Sequence, residues 1–308
     1  MPQLSIIVVS YNGKCILRQC LESVYQDSTG SDAEVIIVDN NSEDGSAEMV
    51  EQEFPQSKLI RNPSNYGFAK AVNIGIRASS SAFCLLLNSD AVLLQGALES
   101  LLACAASHPE AGAVGGLTVD SNGMPDRFAV GRKATLWRVF CHGTGLAHLF
   151  GGRYPFSGLY SYSHMDELNE VEWASGAFLL LRKEAVAGVG LLDERYFMYG
   201  EDLDLCMRLR EAGWKAYHLP AARVIHAGGA SLKKVRDPAV LAAIARSKAL
   251  SLRAQLGKSY YLATMIMTTG LICRLVAYGA VFAVTRSAGY ARKYSRIIAH
   301  LRVVMDRG

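Results

Sequence analysis

Apolar residues along the first part of the chain occur in two alternating periods. In LSIIVVSYN (4–12) they are consecutive and largely β-branched and then stop at polar residues. In the GKCILRQCLESVYQ that follows, Ile16, Leu17, Cys20, Leu21 and Val24 recur at helical spacing. AEVIIVDNNS (33–42) repeats the strand form and ends at Asp39, while SAEMVEQEF repeats the helical one. KLIRNPSNYGFAKAVNIGIRAS adds a short strand, a glycine-containing turn and a helix, and AFCLLLNSD adds a further buried strand. Strands this uniformly apolar have no wet face, so the alternation predicts a parallel sheet covered by helices on both sides. Ligands of such sheets gather beyond the carboxyl ends of the strands. Polar residues follow three strands, at 10–12, 39–42 and 88–90, and are expected to meet in one crevice.

Over 119–169 the pattern weakens into scattered Gly, Tyr and Arg, which predicts long loops or a lid. EVEWASGAFLLLRKEAVAGVG predicts a strand and a short helix. LLDERYFMYGEDLDLCMRLREAGWKAYHLP predicts a loop, a helix with Leu203, Leu205, Cys206, Leu209 and Ala212 as its apolar stripe, and a strand. ARVIHAGGAS predicts one more strand, after which helical segments run to the C-terminus. The apolar run at 260–285 approaches the roughly 20 residues that span a bilayer, but a central Arg274 costs several kcal/mol in hydrocarbon. An interfacial or buried helical pair is therefore expected ahead of a span.

The composition, 50% hydrophobic and 19% charged over 308 residues, excludes a solvated disordered chain. The net charge of +4 conceals an asymmetry: 14 Lys/Arg stand against 2 Asp/Glu from Lys233 onward, leaving −8 on the remainder. Basic residues interleaved with aliphatic runs suit an anionic membrane surface and not nucleic acid. The expected division is a body over 1–232 and a membrane-associating helical extension over 233–308. The 7 cysteines include no Cys-x-x-Cys pair, which indicates a reducing, cytosolic setting. The N-terminus enters a strand without a basic n-region, so no cleaved export signal is expected.

Four polar sites could carry chemistry. Asp90, preceded by Asn88, either offers oxygen ligands to a hard divalent ion or caps a helix starting at Ala91. Asp39 either accepts from a ligand's amide or hydroxyl, or caps a turn with Asn40 and Asn41. Capping explains one carboxylate of Glu201-Asp202; two side by side among aromatics point to a general base as well. His226, ahead of Gly228 and Gly229, is either structural or a metal or phosphate contact. There is no Walker loop or dinucleotide fingerprint, so bound phosphates would need a cation to screen them.

Taken in order, SIIVVSYNG, VIIVDNNSEDGS, NYGFAKAVNIGI, LLLNSDA, WASGAFLLLRKE, DERYFMYGEDLDLCMRLREAGW and VIHAGGAS resemble the family 2 glycosyltransferases, particularly their bacterial rhamnosyltransferase-like branch, over roughly 4–231. The resemblance implies the GT-A fold, an α/β nucleotide-diphospho-sugar transferase architecture with a mixed, mainly parallel sheet flanked by helices. It implies inverting transfer from a nucleotide-sugar, most simply L-rhamnose from dTDP-rhamnose, to a hydroxyl of a lipid-linked or growing surface-polysaccharide acceptor. Ser10, Asn12, Asp39, Asn41 and Ser42 would line the nucleotide, with Asp39 on the base. Asn65, Gly67, Asn73, Asn88 and Ser89 would contact the nucleotide-sugar. Asp90 matches the last aspartate of the D-x-D element that binds Mg²⁺ or Mn²⁺, and His226 matches a histidine that completes the coordination. Asn88 replaces the first aspartate, leaving fewer charged ligands. Asp202 matches the catalytic base, and Trp173, Ser175, Gly176 and Glu201 would border the acceptor. The implied location is the cytoplasmic face of the inner membrane, peripherally attached. A UDP-hexose donor, a nucleotidyltransferase, and a non-catalytic scaffold or glycan-binding protein on the same fold remain the alternatives.

Overall fold

The computed structural model describes residues 3–126, 129–151, 154–160, 166–226 and 238–285. The chain forms two compact units, one of Met1–Gly131 with His164–Ser251, the other of Arg132–Ser163 with Leu252–Gly308.

In the first unit, β1 (Leu4–Ser10), β2 (Glu34–Asp39), β3 (Lys58–Arg61) and β4 (Phe83–Asn88) alternate with α1 (Lys14–Gln26), α2 (Ser28–Ser31), α3 (Ser46–Glu53) and α4 (Gly67–Ala78). Pairing is parallel throughout this half, in the order β3-β2-β1-β4. The apolar runs become strands because both faces are covered: α1 places Leu17, Cys20, Leu21 and Val24 against Ile6, Val8 and Leu85, while α4 lays Ala71 on Ile36 and Val38. Each large side chain so buried contributes roughly 1.5–3 kcal/mol. β1 lies between β2 and β4, so the chain winds in opposite directions on its two sides, and the carboxyl ends open a crevice there.

Beyond β4 the sheet becomes mixed. β5 (Ala91–Leu93), α5 (Ala97–Ser107), β6 (Ala111–Val119), β7 (Val130–Gly131), β8 (Asn169–Val171), β9 (Trp173–Ala174), β10 (Phe178–Arg182), α8 (Lys183–Val189), α9 (Glu201–Glu211) and β11 (Lys215–His226) continue the unit, to which residues 238–251 of a later helix also belong. β10 inserts antiparallel between β4 and β6, and the order continues β6-β11-β5, with β8 also on β11 and β7 paired to β9.

Three local expectations change. Asp90 does not cap a helix: Ala91–Leu93 is a strand, paired antiparallel with Val224, Ile225 and His226, and the helix starts at Ala97 behind Gly96. Tertiary pairing overrides the local capping preference. The two strands expected at 215–226 are one strand with a register shift between Leu219 and Arg223, where Pro220 has no N–H to donate. The third change is at 119–169, which is less loop-like than its pattern, holding α6 (Leu136–Thr144) and α7 (Leu146–Leu149).

Those two helices belong to the second unit. α6 begins where the Thr135 hydroxyl accepts from the Arg138 N–H at 3.1 Å and ends at Gly145 in the left-handed region, φ 87°. Thr135, the apolar positions 136, 139 and 140, and Gly145 were the sequence signals for it. α6 packs on α11 (Tyr260–Thr285), which continues from α10 (Pro238–Leu256) through the 3₁₀ turn Gly257–Ser259. A Cβ on Gly270 would lie 2.6 Å from the Gly143 carbonyl carbon, so two glycines permit this crossing. Arg274, the charge within the apolar run, reaches the His142 carbonyl at the end of α6, 3.5 Å away, where a helix C-terminus favours a cation. The helical stretch Pro238–Ala280, running through α10 and α11, is long and apolar enough to cross a membrane by length and composition alone, and little of its most apolar part is buried.

Candidate active site

The register of the parallel strands aligns their polar ends. Ser10 is opposite Asp39, and Val9 is opposite Asn88. Ser10 and Asp39 are both buried, and the Ser10 hydroxyl and Asp39 Oδ1 have no partner among the described residues. The other Asp39 oxygen accepts from the Ser42 N–H at 2.9 Å, so the turn-capping role is real and occupies half of the carboxylate. Asn12 and Asn41 both adopt positive φ, 49° and 65°, which asparagine tolerates better than most residues. Asn12 is laced to the neighbouring loop: its N–H donates to Ser42 Oγ at 2.9 Å and its side-chain oxygen accepts from Glu43 N–H at 2.8 Å. Asn40 donates to the Gly67 carbonyl at 3.0 Å and accepts from Asn62 at 2.8 Å, tying the β2 end to the start of α4.

The Asn65 side chain caps the same turn, accepting from the Gly67 N–H at 3.0 Å. Gly67 has φ 79°, and a Cβ there would meet the Phe197 carbonyl oxygen at 2.4 Å. Asn73 is buried on α4 and gives its amide to the chain: it donates to the Leu192 carbonyl at 2.8 Å and to Glu194 at 3.0 Å, and accepts from Leu192 N–H at 3.0 Å. It therefore fixes the 192–194 segment ahead of α9.

Asn88, Asp90 and His226 come together across β4, β5 and β11. His226 Nε2 lies 3.1 Å from Asp90 Oδ1 and 3.2 Å from the Asn88 amide nitrogen, with Ser89 buried between the two β4-end residues. His226 Nδ1 is buried without a partner among the described residues. Carboxylate and imidazole on one centre, with an amide beside them, form a donor set that fits a hard or borderline divalent ion. Among the described residues no group of three or more His, Cys, Asp or Glu side chains forms a closed cage, so the remaining positions would fall to ligand oxygens and water. Gly228 and Gly229 lie outside the described residues.

The β9–β10 turn joins this centre to α9. Gly176 N–H donates to Asp202 Oδ2 at 3.0 Å, and the next residue, Ala177, accepts through its carbonyl from Asn88 N–H at 3.0 Å. Ser175 Oγ accepts from the Ala177 N–H at 3.3 Å and shapes the turn, while Trp173 is buried against Gly131. Asp202 Oδ1 accepts from Leu203 N–H at 2.8 Å, so the carboxylate is held at both oxygens. Glu201 beside it is buried, its Oε2 without a partner among the described residues. Burial raises both carboxyls above their usual range, and for Glu201 the neighbouring Asp202 charge adds to the rise.

Tyr199 carries no signal in the polar pattern, yet it leads the chain into α9. Burial first, and then the charges of Glu201, Asp90 and Asp202, raise its phenol above the ordinary range, so all three carboxylates act on one hydroxyl. Its φ of 71° and the 114° of Gly200 turn the chain into α9. From α10, Ser247 Oγ accepts from Phe197 N–H at 2.8 Å, and the Lys248 ammonium lies 4.8 Å from the Tyr199 ring centroid. Ser247 and Lys248 sit within an apolar helix pattern that gives no hint of this contact.

Comparison with known proteins agrees with this geometry. The family model described as glycosyl transferase family 2 matches residues 5–158. An N-acetylglucosaminyl-diphospho-decaprenol L-rhamnosyltransferase of Mycobacterium tuberculosis is 32% identical over 256 residues, covering 77% of this chain and 79% of that protein. Among solved structures, a Pyrobaculum calidifontis mannosyltransferase in complex with GDP-Man and Mn²⁺ superposes with TM-score 0.58 at 16% identity, over 99% of this chain and 86% of the other. GalNAc-T7 with UDP, GalNAc and Mn²⁺ gives TM-score 0.55 at 17% identity, over 73% of this chain and 43% of the other. The two structures share the fold with this chain, a GT-A-like mixed sheet. The matched family model and the extended similarity to the mycobacterial enzyme together establish that this chain belongs to glycosyl transferase family 2, as a glycosyltransferase of rhamnosyltransferase-like type.

Proposed function

We propose that the protein transfers L-rhamnose from dTDP-rhamnose to a hydroxyl of a lipid-linked or growing surface-glycan acceptor, with inversion at the anomeric carbon. The name of the mycobacterial relative, an N-acetylglucosaminyl-diphospho-decaprenol L-rhamnosyltransferase, supports the sugar and the lipid-linked acceptor. One observation carries the mechanism: consecutive residues of one turn, Gly176 and Ala177, hold Asp202 and Asn88. A proton acceptor and the strand end of a cation centre therefore share one anchor.

Asp202 is the base that takes the acceptor's proton as its oxygen attacks. A single displacement inverts the anomeric centre and needs no protein nucleophile. Burial, which raises the Asp202 carboxyl, improves its match to a proton in transit. The partnerless Asp39 Oδ1 and Ser10 hydroxyl suit the N–H and O–H groups of a nucleotide, with Asn12, Asn41 and Ser42 forming the adjoining wall. Asn65 and Gly67 shape the donor side and Asn73 supports it, while Asn88 and Ser89 continue that side at the end of β4. Trp173, Ser175, Gly176 and Glu201 border the acceptor. Mg²⁺ or Mn²⁺, held by Asp90 and His226 beside Asn88, would neutralise charge on the departing nucleoside diphosphate. Catalysis is assigned to the 1–232 body, and peripheral contact with the cytoplasmic face of the membrane to the basic, apolar 233–308 extension.

The test is turnover of dTDP-rhamnose with Mn²⁺ or Mg²⁺ and a lipid-diphosphate N-acetylglucosamine acceptor. Product of inverted configuration is expected. Absence of turnover across a panel of donors, with glycan binding intact, would sink the catalytic reading. A carbonate wash of membranes releases the protein if attachment is peripheral.

A further inference from the structure

The second unit presents an aromatic surface that the transfer reaction does not use. On α6, Trp137 and Phe140 stack with ring centroids 5.4 Å apart. Trp137 also meets Phe156 at 6.2 Å, and Phe156 stacks on Phe150 at 4.4 Å. The four rings therefore form one continuous cluster. It is not a core: Trp137 is 48% and Phe150 47% exposed, with Leu149 at 76% and Tyr154 at 92% beside them in the chain. The indole N–H of Trp137 is already bonded to the Pro155 carbonyl at 2.6 Å, so its apolar body is turned outward without stranding its polar atom. α11, against which α6 packs, adds a second exposed apolar stripe. Tyr261, Met265, Ile272 and Val276 are all exposed, and at about 100° per residue they fall within about 60° of arc.

Charge identifies what covers these surfaces. Among the described residues of this unit, 132–151, 154–160 and 252–285, six Lys/Arg stand against no Asp or Glu. A protein partner for so basic a surface would need an acidic face that also matches exposed tryptophan and aliphatic side chains. An anionic bilayer interface supplies both at once, because aromatic rings settle at the headgroup level while cations remain with the lipid phosphates. We propose that the Trp137–Phe140–Phe150–Phe156 cluster docks the protein on anionic lipid, as a membrane contact separate in sequence from the C-terminal extension. This goes beyond the transfer reading, which places membrane contact at 233–308 alone. Trp137, Phe140, Phe150 and Phe156, within the 119–169 stretch whose pattern suggests long loops or a lid, thereby become part of the attachment surface.

The experiment uses the full chain with vesicles of phosphatidylcholine alone or mixed with phosphatidylglycerol. Flotation is expected to show binding at least tenfold stronger with phosphatidylglycerol and weakened by salt. Vesicles with brominated acyl chains are expected to quench tryptophan emission, and Trp137→Phe to remove most of that quenching, since of the other two tryptophans Trp173 is buried and Trp214 is half-buried and outside this unit. The double variant Trp137→Glu/Phe150→Glu, altering exposed side chains, is expected to lose at least tenfold in binding with its unfolding temperature kept. Three results overturn the proposal: binding without quenching of Trp137, which leaves attachment to α11; no binding to either vesicle; or a self-associated species in which Trp137 is hidden from the quencher by a second copy. If the double variant does not fold, quenching in the wild type decides. None of these readouts needs a sugar donor, so failure of the transfer reading leaves them intact.

Discussion

Gly176 donates its backbone N–H to Asp202 at 3.0 Å, across the turn whose next residue holds Asn88. A carboxylate on a helix and the end of a buried strand, 114 positions apart in the chain, are thereby fixed to adjacent residues of one turn. From this follows the first prediction. Asp202→Asn keeps the shape of the side chain and removes its basicity. Turnover is expected to fall by about 10²–10⁴-fold, with nucleotide affinity within a few-fold of wild type by calorimetry. Turnover that survives would remove Asp202 from the role of base.

Asp90 and His226 give the second. Treatment with a chelator should abolish transfer, and added Mn²⁺ should restore it. Asp90→Asn removes the centre's one carboxylate and should weaken Mn²⁺ at least about tenfold, a loss readily read by titration. Unchanged metal affinity in Asp90→Asn would place the ion elsewhere.

The buried Glu201 supplies a dependence of stability on pH. Its folded pKa is raised by burial and by Asp202, so the folded chain holds the proton more firmly than the unfolded one. Stability is therefore greatest below the ordinary glutamate range, near about 4.3, and declines as pH rises through it toward the raised folded value. Glu201→Gln has no charge to bury and should lose this part of the decline. Thermal unfolding from pH 5 to 9 checks it: wild type and variant should diverge with rising pH, the variant the more stable, and parallel curves would contradict it.

Gly67 tests the backbone of the donor side. Alanine there would combine φ 79° with a Cβ 2.4 Å from the Phe197 oxygen. A cost of about 1–3 kcal/mol is expected from the backbone strain, more if the Phe197 carbonyl cannot move. Urea unfolding measures it, and a midpoint equal to wild type would mean that the turn relaxes freely.

Ser247 reaches the site only through the backbone. Ser247→Ala would leave the Phe197 N–H without its 2.8 Å acceptor, at about 1–3 kcal/mol. Because Tyr199 and Gly200 follow, kcat is expected to fall with little change in donor KM. A loss of stability with kcat intact would reduce Ser247 to a packing residue.

The parallel half of the sheet was legible because its physics is local. Val8, Ile37 and Leu86 lie in runs that cannot be half wet, and Ser10, Asp39 and Asn88 mark where those runs stop. Asp90 was ambiguous for an equally physical reason. A carboxylate after a strand looks the same whether a helix or another strand follows, and only the pairing of Ala91 with His226 decides. The weak pattern of 119–169 concealed a capped helix because α6 buries Val139 and Cys141, positions that share no helical face, and leaves Trp137 and Phe140 exposed.

What the sequence determined by itself was the set of chemically capable residues and their attachment to strand ends and a helix start, since periodicity and termini depend on near neighbours. The tertiary structure alone decided their company: Asp90 with His226, Gly176 with Asp202, Lys248 over the Tyr199 ring, Ser247 behind the loop. Contacts between positions tens to more than a hundred residues apart leave no mark on local spacing. They exist because burial of the sheet on both faces brings distant segments to one edge.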